Sequence, residues 1–191
     1  TRQDFLRGAL ALTSVPLLRP IPAFAAAPSP DSVEVSEIAP GVFVHQGRYE
    51  MQSPENQGDM ANAGIVVGSD AVAVIDTLGS AIVGERLRNA VRAVTDKPIR
   101  YVINTHMHPD HVFGNAAFKA DAPGFVANHK LARGLASRAE RYLATNERML
   151  GDAAFAGIEV ILPTVPVDNP MSLDLGGRTL LLETQRTAHT D

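Results

Sequence analysis

Asn104-Thr105-His106-Met107-His108-Pro109-Asp110-His111 is the stretch on which the reading of this chain turns. Half of its 6 histidines fall between positions 106 and 111 of a 191-residue sequence. From the chain's own composition, H-x-H-x-D-H would arise by chance in roughly four of ten thousand chains of this length. At the end of an extended strand, residues i and i+2 project to the same side. His106 and His108 are therefore expected to face one cation, with Met107 turned into the core. Pro109 fixes its own φ near about −65° and turns the chain, so Asp110 and His111 project differently and address a second cation. Imidazole nitrogens with one carboxylate suit zinc, then iron or manganese. A catalytic zinc takes three protein ligands and keeps one position open. His189, in Thr187-Ala188-His189-Thr190-Asp191, supplies the third histidine just after a strand-like run.

The flanking sequence predicts a mixed α/β domain. Residues 99–104 read as a strand that runs straight into the cluster. Before it, 41–46 reads as a strand and 48–61 as a loop. Residues 63–67 and 71–75 are two strands joined by Gly68-Ser69-Asp70. Residues 82–94 carry apolar side chains at 83, 87, 90, 91 and 94, the spacing of one helical face, and Lys97-Pro98 closes that helix. After the cluster, 124–127 reads as a short strand, 130–150 as a helix and 160–170 as a proline-bearing connector. Residues 172–175 and 178–183 flank Gly176-Gly177, a two-residue hairpin signal. Asp76-Thr77 closes a strand; Asp76 reads equally as a turn residue or as an acid bracing the cluster. Loop 48–61 reads as solvated, with Tyr49 and Met51 folding over the site as the alternative. His45 and His129 read as structural. Arg133, Arg138, Arg141 and Arg148 read as a solvated helix face.

Composition narrows the function classes. The chain holds 17 Lys+Arg against 21 Asp+Glu, a formal net charge of −4, and lacks the basic face a phosphate-backbone binder needs. No nucleic-acid partner is expected; a small-molecule substrate is. With no cysteine, the described sequence offers neither disulfides, nor thiolate metal sites, nor a Cys nucleophile. The longest uncharged apolar run is about 11 residues, short of the ~20 that span a bilayer. At the N-terminus, the positive Thr1–Arg7 segment, the apolar 8–18 and Ala23-Phe24-Ala25 describe an export signal over residues 1–27. A linker, 28–37, leads to a domain over 38–191, and a periplasmic or secreted location follows. Residues 1–7 resemble a twin-arginine signal, with Gln3 where its second Arg would stand.

Residues 105–111 resemble the metal signature of the metallo-β-lactamase-fold superfamily. The Val74-Ile75-Asp76-Thr77 strand end, the helix after it, Asn104-Thr105, Gly114-Asn115 and Ala188-His189-Thr190 agree. The segment His108–Phe118, together with the leader, is most similar to the zinc metallohydrolases linked to quinoprotein relay systems. The resemblance implies an αββα sandwich with metals at one edge of the two sheets. It implies His106, His108 and His189 on a first zinc, Asp110 and His111 on a second, and Asp76 bracing them from behind. It also implies a later metal-binding Asp, a final His and further strands and helices, so the chain reads as an N-terminal fragment of a two-zinc protein. The expected chemistry is hydrolysis of an acyl compound (thioester, lactam or ester) by a metal-bound hydroxide, with Asp110 orienting it or moving its proton. The alternatives are an iron sulfur-dioxygenase-like oxidoreductase on the same scaffold and an inert metal-binding accessory protein.

Overall fold

The computed structural model describes residues 31–186 and 190. The leader at 1–27, His189 and Asp191 lie outside the described residues.

Seven strands form one sheet in sequence order. They are β1 (Ser36–Ala39), β2 (Val42–His45), β3 (Ala63–Val67), β4 (Val72–Ile75), β5 (Ile99–Asn104), β6 (Gly124–Asn128) and β7 (Val165–Val167). The first four pair antiparallel, β1 to β2 and β3 to β4 through short turns and β2 to β3 across the long loop that holds residues 48–61. From β4 onward the pairing is parallel, and each parallel step needs a crossover. Helix α1 (Ala81–Val94) makes the first. The short α2 (Pro109–Val112) and a 3₁₀ segment, Phe113–Asp121, make the second. Helix α3 (Leu131–Phe155) makes the third. A hairpin of β8 (Met171–Asp174) and β9 (Thr179–Leu182) starts a second sheet.

The alternation of side chains along β4 and β6 builds two cores from one sheet. Val72, Val74 and Phe125 face α1 and the 3₁₀ segment, joining Leu87, Val91 and Phe118. Ala71, Ala73 and Val126 face the other way and meet Leu173 and Leu175 from the hairpin. Strands covered on both faces read as unbroken apolar runs, which explains why residues 71–75 lack a polar alternation. Ala127 lies under α3, packed with Met107, Val112, Phe113, Leu131 and Leu135. The layers are helix, sheet and sheet: a mixed α/β sandwich, of which the second sheet contributes two described strands.

Helix α1 starts where Ser80 Oγ accepts from the Val83 amide at 3.3 Å, an N-cap bond. It ends at Thr95, ahead of Pro98 as expected. It crosses the 3₁₀ segment at two glycines. A Cβ at Gly114 would lie 1.8 Å from the Thr77 carbonyl oxygen, and one at Gly84 would lie 2.6 Å from that of Gly114. Only bare backbone fits at that crossing.

Three expectations need correction. Residues 160–170 are not a plain connector, because Val165–Val167 form β7. Pro166 is tolerated there because β7 is the last strand of its sheet, paired on one side only. The helix expected to stop at 150 continues to Phe155, through a break at Gly151 where φ is +72°. An unforeseen strand, Ser36–Ala39, forms the opposite edge, exposed along its whole length.

Candidate metal centre

The cluster sits where β5 ends. Asn104 closes the strand, Thr105 to His108 lead out of it, and Pro109 opens α2 as its first residue. The ring centroids of His106 and His108 are 4.9 Å apart, and those of His106 and His111 4.0 Å. Met107 is 5% exposed and packs under α3, as the strand alternation predicts.

Asp76 organises the cluster from β4's end. Its buried carboxylate accepts the Thr105 amide at 2.8 Å, the Thr105 hydroxyl at 2.7 Å and His111 Nδ1 at 2.8 Å. Its own amide donates to the Ile103 carbonyl at 2.8 Å. Its φ is +57°, a region in which Asp is among the few side chains found with any frequency. The turn residue and the brace are thus one and the same: the left-handed turn is what aims the carboxylate across at β5.

Thr105, which sequence reasoning treated only as a neighbour, sets the state of His106. Its hydroxyl proton goes to Asp76, so its oxygen accepts from His106 Nδ1 at 3.0 Å. That leaves the lone pair of His106 on Nε2. His106 is held below its ordinary pKa by burial and by the neighbouring His111 and His108, which keeps it neutral. Burial alone would lower His111 too, but hydrogen bonds with Asp110 and Asp76 outweigh it and raise it to about 9. Burial would raise the Asp110 carboxyl; the His111 bond and charge reverse that and hold it below its ordinary value. His111 Nε2 lies 3.3 Å from Asp110 Oδ2. A cationic imidazole thus stands between two carboxylates.

The main chain of His111 is fixed as firmly as its ring. Its carbonyl accepts from the Thr77 amide at 3.0 Å and from Asn104 Nδ2 at 3.1 Å. Asn104 and Asn115 form a reciprocal buried pair: Asn115 Nδ2 donates to Asn104 Oδ1 at 2.9 Å, and Asn104 Nδ2 to Asn115 Oδ1 at 3.1 Å. Thr77 Oγ1 adds a bond to Asn115 Oδ1 at 2.8 Å. The signal in sequence was the buried-polar pattern of Thr77, Asn104 and Asn115 around an apolar frame.

Among the described residues, no group of three or more His, Asp or Glu side chains already surrounds a common point as a metal cage. The chemistry of the donors nevertheless fits a divalent cation. It combines a neutral His106 with its tautomer set, His108 and His111 within ring contact, the ionised Asp110 and a carboxylate behind His111. That last pairing is the support that orients metal-binding histidines generally. His111 becomes a donor on losing the Nε2 proton that faces Asp110, as metal binding displaces protons from its ligands. The expected third ligand, His189, lies outside the described residues. His45 and His129 take structural roles, as expected. His45 bonds Asp59 at 2.7 Å and the Glu34 carbonyl at 2.9 Å. His129 faces the Val167 carbonyl and Asp168.

Comparison with known proteins bears on the family and the fold. Residues 56–191 match the family model described as "Metallo-beta-lactamase superfamily". Among solved structures, a metallo-beta-lactamase from Pontibacter korlensis is 18% identical with a TM-score of 0.57, covering 78% of this chain and 59% of that one. TMB-1 is 20% identical with a TM-score of 0.53, over 75% and 56%. A Cronobacter sakazakii metallo-beta-lactamase with a HARLDQ motif is 19% identical with a TM-score of 0.55, over 78% and 51%. Identities this low speak to the fold alone, and the chain spans between half and three-fifths of those structures' length. With the family model running through the cluster and across most of the chain, the chain belongs to the metallo-beta-lactamase superfamily.

Proposed function

We propose that this chain is part of an exported, zinc-dependent hydrolase of acyl-type substrates: a thioester, a lactam or an ester. The observation that carries the reading is the Asp76 carboxylate, which positions both Thr105 and His111 behind a face of three imidazoles. His106, His108 and His189 would hold one zinc; Asp110 and His111 would contribute to a second. Zinc bound there supplies Lewis acidity, which acidifies a water and polarises an acyl carbonyl.

The chain's own groups supply the rest. His106 presents Nε2 because Thr105 occupies Nδ1. Asp110, held ionised, is the group placed to take a proton from an attacking water and pass it to the leaving group. The leader-like residues 1–27 support export. The likeness of His108–Phe118 to zinc metallohydrolases of quinoprotein relay systems supports the same location. A superfamily made up typically of metal-dependent hydrolases supports the reaction class.

The test uses the whole protein purified with its metal. About two zinc per chain with turnover of an acyl substrate is the expected result. One iron per chain with oxygen consumption would establish the oxidoreductase instead. Full zinc occupancy without turnover of any acyl compound would leave a metal-binding accessory protein. His108→Ala should lower zinc content and turnover together; undiminished zinc would refute the ligand assignment.

A further inference from the structure

Beside Asp110 lies a cavity of about 230 Å³ between loop 48–61 and α3. Met51, Met60, Tyr142 and Met149 form much of its wall, and Pro109 and Asp110 belong to the same lining. Three of the chain's 5 methionines are gathered there. Thioether side chains are apolar and unbranched, and they mould themselves around irregular aliphatic surface. The Tyr142 ring meets His108 edge-on at 6.4 Å, which ties the pocket wall to the metal-facing cluster.

The loop that forms one wall of the cavity is held by its own hydrogen bonds. Asn56 is 3% exposed and its Oδ1 accepts the Ser53 and Gly58 amides, both at 3.0 Å. Its Nδ2 donates to the Met51 carbonyl at 2.8 Å. Gln52 Nε2 reaches Met149 Sδ at 3.4 Å and links the loop to α3. At Gly151 the helix backbone passes Pro54 of the loop, where an added Cβ would lie 3.8 Å from the proline ring. These bonds hold the loop backbone in place, which lowers the cost of binding, while the Met51 side chain is 71% exposed at the mouth of the pocket.

We propose that this cavity is the acyl-chain pocket of the enzyme and selects substrates carrying an unbranched apolar acyl group of medium length. At the ~30 Å³ taken up by one water-sized group, the cavity holds at most about seven methylene-sized groups. The reacting carbonyl then falls at the Asp110 end, beside the histidines. The proposal rests on the hydrolase reading for its chemistry, while the binding itself can be measured without it.

The experiment labels the methionine methyls of the full-length, metal-free protein with carbon-13 and titrates it with hexanoate, with acetate as the short control. Hexanoate is expected to move the Met51, Met60 and Met149 signals and leave Met171, on β8, in place. Each added methylene should tighten binding about fourfold, so hexanoate should bind at least ~50-fold better than acetate. Met149→Lys and, independently, Thr145→Trp should abolish that preference, with the Met171 signal reporting an intact fold. Equal affinity for the two acids, or shifts that spare the three methionines, would overturn the pocket. The zinc-loaded protein is then offered acetyl and hexanoyl thioesters. Methionine shifts with turnover of neither ester would strike the hydrolase reading and leave the pocket standing. Turnover of both at equal kcat/KM would overturn the pocket and leave the hydrolase.

Discussion

Replacing Asp76 separates the role of the brace from that of the ligands. Its carboxylate accepts three hydrogen bonds of 2.7–2.8 Å while 4% exposed, so solvent screens none of them appreciably. Hydrogen bonds to a charged group contribute about 1.5–3 kcal/mol each, and three sharing one carboxylate will not add in full. Asp76→Ala strands the Thr105 amide, leaves the His111 cation without one of its two partners and places a Cβ-only residue at φ +57°. A loss of about 3–5 kcal/mol in the metal-free protein follows. Asp76→Asn is gentler on the fold and harsher on the site. The amide oxygen can still accept from Thr105, but the amide NH₂ faces His111 Nδ1 and drives the ring to the tautomer protonated at Nε2. The fold should lose only about 1–2 kcal/mol, while metal affinity falls about 10–100-fold. Urea unfolding of the metal-free protein measures the first quantity, and competition with a chromophoric chelator the second. In both variants the His111 titration, followed by NMR, should drop from its value of about 9. An Asp76→Asn protein that binds metal within twofold of wild type, or an Asp76→Ala protein within 1 kcal/mol of its stability (less than one bond to a charged group), would refute the reasoning.

Gly114→Ala should destabilise by about 3 kcal/mol or more, because its Cβ would fall 1.8 Å from the Thr77 oxygen; a urea midpoint close to wild type would contradict the backbone-to-backbone crossing. Asn146 is 2% exposed, donates to the Tyr142 carbonyl at 2.7 Å, and its Oδ1 meets no donor among the described residues. Asn146→Leu should therefore raise stability by about 1–2 kcal/mol, and a lowered melting temperature would count against an unsatisfied acceptor. His45 is subject to burial, which alone would lower its pKa, but the bonds to Asp59 and the Glu34 carbonyl raise it above 6.5. The stabilisation from that pair is complete below pH 6.5 and fades as pH climbs through the raised value. Urea midpoints taken across that range should fall with pH in the wild type, and Asp59→Asn should flatten the profile.

Much of this architecture could be read from the residues because each element was bounded by something with a mechanism. β5 runs from Ile99 to Asn104 as expected, set between Pro98 and the histidines. Helix α1 follows its apolar stripe between Ser80 and Thr95. The hairpin of β8 and β9 turns at the two glycines, both at positive φ. What escaped the reading depends on partners remote in sequence. β7 is three residues long and owes its existence to β6 beside it, so Pro166 and the flanking Pro163 and Pro170 pointed to a connector. β1 has no buried face to leave a pattern. At the site, the histidines and Asp110 were visible by spacing, since residues close in sequence must be close in space. The bond from Thr105 to Asp76 joins positions 29 apart, and only the strand order of β4 and β5 brings them together. Tyr142 and Met149 were legible as helix positions but not as the wall of a cavity, because loop 48–61 arrives from the far side of the sequence.

The ties on His111 from Thr77 and Asn104, both held in turn by Asn115, run to its carbonyl, not to its imidazole. The scaffold therefore grips position 111 independently of the side chain it bears. Swapping that side chain for neutral Asn or for Cys would exchange the donor atom while leaving the backbone socket in register. The same frame could in this way be retuned for harder or softer cations one residue at a time, a route by which one chassis can serve different metals without being rebuilt.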